Sequence, residues 1–328
     1  MLLGCVLLGS RRRIAHLAAG LLCLLALSSC QCESDDPAPL TVAPQPSAQP
    51  SQPPQVLYLP EAGSLLPPSA ITGDSPDWES CPAEMVAVGA GYCIDRFEGA
   101  LVDDASGRAL SPYYHPTRKR TAESYKRWKR LRFEVGPASA RALPVPRPPE
   151  WQLTEMVKIR AVSERSQIPN GYINAVLAKT ACENAGKRLC TSEEWVRACR
   201  GESGRQFPYS DVYRPEICNV FGSVHPARAL HSDTSMGHLD PRLNLVQVDG
   251  RTVLQPAGGT SECASEWGDD QIYDMVGNVD EWVSDADGVF RGGFYARATK
   301  EGCEAKVTVH SPEYFDYSTG FRCCRSAQ

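Results

Sequence analysis

The chain has 328 residues, with 34 Lys and Arg against 39 Asp and Glu, a formal net charge of −5 and 14 cysteines. That mild acidity argues against nucleic acid as the partner, because phosphate backbones are met by basic surfaces. The length suffices for one large domain with a substantial core, and the cysteine usage points to an oxidising compartment.

At the amino end Arg11, Arg12 and Arg13 precede a sixteen-residue apolar run, 14–29, that closes on small residues. A membrane-spanning helix needs roughly 20 apolar residues, so the run reads as a removed signal. Leu27, Ser28, Ser29 and Cys30 resemble the bacterial lipobox, in which cleavage precedes a cysteine that is then acylated. Cys30 is therefore the expected lipidation site, with ordinary secretion as the alternative. Each buried methylene contributes about 0.8 kcal/mol, so several acyl chains hold a soluble domain at a bilayer. Gln31, rather than Asp, follows the cysteine, which resembles lipoproteins sorted to an outer membrane, so a lipid-anchored place in the cell envelope, outer membrane rather than inner, is the expectation. Residues 1–29 are thus read as signal peptide and 30–77 as a Pro-, Gln- and Ser-rich tether with too few apolar residues to order itself.

The folded part is expected over 78–328. Between Cys81 and Glu98 two short strands meet at Gly89 and Gly91, and a bridge from Cys81 to Cys93 would staple them. Residues 107–165 read as an insertion, basic from Arg118 to Arg132 and then rich in proline, with no sign of a central strand. The basic stretch suits a solvated face, with a polyanion or anionic headgroups as the functional alternative. A helix is predicted from Asn174 to Ala185, with Ala178, Ala181 and Cys182 on one face and Gly186 as its stop. Thr191, Ser192, Glu193 and Glu194 form a capping box that opens a second helix ending at Gly201. Beyond Gly201 the pattern is of loops and short strands.

Ten cysteines fall in the domain: Cys81, Cys93, Cys182, Cys190, Cys199, Cys218, Cys263, Cys303, Cys323 and Cys324. An even number in an exported chain reads as disulfides; zinc is the weaker reading, because no C-x-x-C pair is present. The count alone does not choose the pairing.

The run from Gly186 to Trp195 (GKRLCTSEEW) resembles the formylglycine-generating enzyme, or sulfatase-modifying factor, family. Ordered blocks strengthen the likeness: Phe207-Pro208-Tyr209, Cys218-Asn219-Val220, the run from Tyr273 to Trp282 (YDMVGNVDEW), Arg291-Gly292-Gly293, and Gly320-Phe321-Arg322-Cys323. The resemblance implies an α+β, C-type-lectin-like fold, loop-rich and stapled by disulfides. It implies bridges Cys182 to Cys323 and Cys199 to Cys303; Cys190 and Cys324 then become natural partners, and Cys218 with Cys263 closes the count. It also implies a structural calcium site at Asp274, Gly277, Val279 and Glu281, and more weakly a second beginning at Asn219 and Val220. Oxygen donors within one loop suit a hard cation.

The best-known members of the family it resembles are copper oxidases that convert a sulfatase cysteine to formylglycine, using R-G-G-S-x-x-C for the first copper ligand. Here that serine position is Phe294 and the cysteine position is Arg297, while the tryptophan of G-N-x-W-E-W is Asp280. Copper(I) takes thiolates and an arginine cannot coordinate it, so no catalytic residue is expected and copper is not expected as cofactor. The expected function is a lipid-anchored binding or scaffold module with an unknown protein or glycan ligand. The alternatives are a sulfatase-maturing oxidase with displaced ligands, or a related non-haem iron enzyme. For the latter, His225, His231 and His238 are the only clustered histidines, and their spacing reads as surface residues.

Overall fold

The computed structural model describes residues 81–326 apart from 90, 298 and 299. The signal peptide, Cys30 and the tether lie outside the described residues. Strands β1 (Met85–Val88) and β2 (Tyr92–Asp95) form the expected antiparallel hairpin, and β3 (Ala100–Asp103) follows. Helices α1 (Arg118–Leu131), α2 (Ala138–Ala142) and α3 (Glu150–Thr154) precede β4 (Ile159–Val162). Next come α4 (Ala175–Asn184), β5 (Arg188–Leu189), α5 (Ser192–Arg200) and α6 (Pro226–His231). Short strands complete the chain: β6 (Gln247–Val248), β7 (Arg251–Thr252), β8 (Ala264–Trp267), β9 (Asp270–Tyr273), β10 (Asp280–Trp282), β11 (Phe290–Arg291), β12 (Lys306–Val307), β13 (Thr319–Phe321) and β14 (Cys323–Ser326).

Two four-stranded sheets organise the domain, one ordered β1-β2-β14-β5 and the other β12-β11-β10-β13. The first ties the amino-terminal hairpin to the carboxyl-terminal strand. In the second, β10 runs parallel to β13, with Asp280 opposite Thr319 and Glu281 opposite Gly320. Helix and strand are mixed with little long regular structure, the expected α+β arrangement.

The two central helices begin as their sequences dictate. Asn174 caps α4 by accepting from Leu177 N, and Ala178, Ala181 and Cys182 are buried. Thr191 Oγ1 accepts from Glu194 N at 3.2 Å while Glu194 Oε2 accepts from Thr191 N at 2.8 Å, closing the capping box of α5. Trp195 on α5 is fully buried. Its indole satisfies its one donor by reaching Glu281 Oε2 at 2.7 Å, as a buried tryptophan must.

Five disulfides link Cys81 to Cys93, Cys182 to Cys323, Cys190 to Cys324, Cys199 to Cys303 and Cys218 to Cys263. All ten domain cysteines are therefore bridged.

Three expectations change. The stretch 107–165 is not wholly an insertion, because its end is β4, which pairs along its length with β3. Its basic part is not simply a solvated face: α1 buries Thr121 and Trp128, and Thr121 Oγ1 donates to His115 O at 2.7 Å. Finally, a helix, α6, stands where only loops and strands were expected. Pro226 occupies its first turn and the His225 ring accepts from Ala227 N, two start signals that turn-rich surroundings mask.

Candidate functional site

The parallel pairing of β10 with β13 fixes Asp280, whose backbone N–H donates to Ser318 O at 2.8 Å. Its side chain points inward and is fully buried. Arg297 Nη2 donates to Asp280 Oδ1 at 2.5 Å, and the guanidinium lies 5.8 Å from the Phe294 ring centroid. The two positions that depart from the oxidase motif are thus partners. Burial lifts the Asp280 carboxyl to about 7 against the pull of Arg297, with Asp316 adding to the rise. Phe294, at the motif's serine position, packs edge-on against Tyr295 and Tyr317 at 5.3 and 5.6 Å. Beside them Asp316 accepts from Tyr314 Oη at 2.6 Å and from Ser318 N and Oγ at 2.8 and 2.7 Å. Burial opposes ionisation of Asp316, but these bonds and His238 outweigh it and hold its carboxyl below the usual range.

Copper does not fit this arrangement. Cys303, the one cysteine available as a second ligand, is bridged to Cys199, and no described cysteine keeps a thiol. A guanidinium and a carboxylate cannot replace two thiolates for a soft ion. The histidines do not assemble a substitute. His225 meets Tyr317 Oη, His231 meets Asp240 Oδ2 at 3.1 Å, and His238 meets Asp316 Oδ2 at 3.4 Å, each with a different partner. The His231 side chain is only 5% exposed, so the surface reading fails for it; Trp128 and Asp240 enclose it. Among the described residues no three His, Cys, Asp or Glu side chains converge as metal ligands.

The expected calcium residues lie in the loop entering β10. Asp274, Gly277 and Asn278 take left-handed backbone conformations, which these residue types tolerate and which fold the loop tightly. A side chain at Gly277 would collide with Asn219 O and Val220, so the two expected sites abut. Asp274 accepts from Gly258 N at 2.6 Å and from Thr260 Oγ1. Glu281 accepts from Arg322 through both oxygens at 2.7 Å.

Sequence reading missed Glu98, which joins this cluster from just before β3. Its carboxylate accepts from Asn278 Nδ2 at 2.6 Å and from Val279 N at 3.3 Å. Glu98, Asp274 and Glu281 are all buried around the single guanidinium of Arg322. Burial, with Asp274 and Glu281 nearby, raises Glu98 well above the ordinary carboxylate range. Burial also lifts Asp274 to about 6 against hydrogen bonds from Thr260 and Gly258. The side chains are oxygen donors, the type a hard divalent ion takes, but each carboxylate is engaged here by donors of the protein itself. The signal that could have found Glu98 is weak: an acid flanked by Phe97 and Gly99 in an apolar stretch.

Comparison with known proteins places these features. The profile of the sulfatase-modifying factor enzyme 1-like domain matches residues 77–327. The inactive C-alpha-formylglycine-generating enzyme 2 of Bos taurus is 27% identical over 180 residues, 51% of this chain and 53% of that protein. The formylglycine-generating enzyme of Streptomyces coelicolor is 30% identical over 154 residues, 44% of this chain and 48% of that protein. The chain thus spans about half the length of these curated relatives. Among solved structures, PvdO from Pseudomonas aeruginosa is similar at 14% identity and a TM-score of 0.37, covering 72% of this chain and 80% of that one.

Proposed function

Since the chain belongs to the sulfatase-modifying factor family, we propose that it is a member without the copper oxidase chemistry, acting as a binding or scaffold module lipid-anchored through Cys30 in the cell envelope. The observation that carries this is the Asp280–Arg297 ion pair standing where the oxidases place a tryptophan and a copper ligand, in a domain whose cysteines are all bridged. The printed name of the bovine relative, an inactive enzyme, agrees with this reading. The Streptomyces relative is named a formylglycine-generating enzyme, which keeps the oxidase reading as the competitor. Export and the anchor rest on the basic start, the apolar run and the Leu27-Ser28-Ser29-Cys30 motif. Among the described residues no helix is long and apolar enough to cross a membrane.

The competing reading is separated by incubating the protein with copper and oxygen and a sulfatase-derived cysteine peptide, then weighing the peptide. The expected result is an unchanged mass. Conversion of the cysteine to formylglycine with turnover would sink the proposal.

Structural calcium is part of the same reading, held by Asp274, Glu281 and the carbonyls of Gly277 and Val279, with Asn219 and Val220 adjacent. An ion that binds only the folded state raises the unfolding midpoint by mass action. Chelation with EGTA is therefore expected to lower the thermal midpoint, and added calcium, but not magnesium, to restore it. Identical melting curves in EGTA and in millimolar calcium would remove calcium from the account.

A further inference from the structure

Helix α1 and the domain body enclose a cavity of about 350 Å³ that is separate from the Asp280–Arg297 pair. Its volume falls within the range of small-molecule sites, roughly 300–1,000 Å³. Tyr114, Trp128, Tyr172 and Phe315 supply its apolar walls, and Arg120, Glu123 and Arg127 line it from α1. Spacings of three and four residues put these three side chains along one side of the helix. Arg120 and Arg127 are exposed, so their charges stand at the opening rather than inside the core.

Two observations narrow the ligand. Tyr114 Oη donates to Pro146 O and Tyr172 Oη donates to Asp240 O, each at 2.6 Å, so both hydroxyl protons are engaged within the protein. The walls therefore present mainly ring surface, with Ser124 beside it and the Arg120 and Arg127 guanidiniums 5.1 and 5.7 Å from the Phe315 and Trp128 ring centroids, and a molecule covered in hydroxyls would find few partners there. Of the charged side chains that line the cavity, Arg120 and Arg127 outnumber Glu123 by one, an excess of one positive charge. That balance suits a monoanion and disfavours a polyphosphate. His115, which also lines the cavity, is held neutral at ordinary pH because burial pushes its ring down to about 4, with Arg120 adding to the fall.

We propose that this cavity binds a small organic monoanion with an apolar, ring-sized body, an aryl or alkyl carboxylate whose head pairs with Arg120 and Arg127 while its body lies against Trp128 and Phe315. This inference does not depend on whether oxidase chemistry survives elsewhere in the domain.

The test is calorimetric titration of the full chain with 3-phenylpropionate, alongside 3-phenylpropanamide, glucuronate and phenyl phosphate. Saturable binding of the carboxylate is expected, with the amide weaker by about tenfold or more, since the charge-assisted pairing is lost. The double variant Arg120→Gln, Arg127→Gln should lose about tenfold or more in affinity. Lys126→Gln with Arg130→Gln removes the same charge from the same helix away from the cavity, and should change affinity by less than about twofold. All four side chains are exposed, so folding is not at issue. Equal losses in the two double variants would overturn the proposal, as would an amide or glucuronate that binds as tightly as the carboxylate. So would tighter binding of phenyl phosphate, or no saturable binding of the carboxylate at millimolar concentration.

Discussion

Replacing Arg322 by methionine is expected to destabilise the domain by about 3–5 kcal/mol, the usual cost of removing one partner from a buried ion pair. The side chain is wholly buried and each of its nitrogens is used. Nε and Nη2 grip Glu281 at 2.7 Å, Nη1 donates to Asp95 O at 3.1 Å, and Nη2 also donates to Tyr273 O at 2.9 Å. Burial works against its charge, but Glu281, Glu98 and Asp274 outweigh that. Methionine fills comparable volume, so the loss measures charge and hydrogen bonding rather than a cavity. It removes the guanidinium that faces the three carboxylates. Lysine should rescue poorly, because a point charge cannot reproduce the bidentate fork. Urea unfolding of the variant and the parent gives the difference directly, and a loss under about 1 kcal/mol would show that Arg322 is not the centre of this cluster.

The second large effect concerns two neighbouring bridges. Cys182–Cys323 spans 141 residues and Cys190–Cys324 spans 134, and their ends adjoin in sequence at both sides. With one bridge intact, the other closes a ring of only about ten residues in the unfolded chain, so removing either alone should cost about 2–3 kcal/mol. Removing both releases a much longer loop, limited now by Cys199–Cys303, and should cost about 6 kcal/mol, more than the two single losses together. Alanine pairs at each bridge, and at both, measured by denaturant unfolding, test this. Strict additivity would mean that strain or core packing, not chain entropy, sets their contribution.

Much of this was legible in the chain. Helices α4 and α5 carry their own start signals in Asn174 and the Thr191 to Glu194 box, and local signals of that kind survive folding. The paired cysteines followed once the family's motifs gave the chain a frame. What stayed hidden was long-range. Glu98 sits 180 residues before Asn278, its partner, and nothing in its neighbourhood announces a buried acid. The Asp280–Arg297 pair was visible only as two separate departures from a motif; that their opposite charges meet is seen only in the fold. The cavity under α1 could not be read from a basic helix alone, because its walls come from Tyr172 and Phe315, far along the chain.

On the proposed reading every cysteine of this domain is structural, leaving no thiol pair among them to hold copper. Digestion of the purified protein under non-reducing conditions, followed by mass mapping of the linked peptides, tests it most directly. The account predicts one peptide pair joining Cys199 to Cys303 and no free thiol among the ten domain cysteines. Recovery of Cys303 as a free thiol would contradict it.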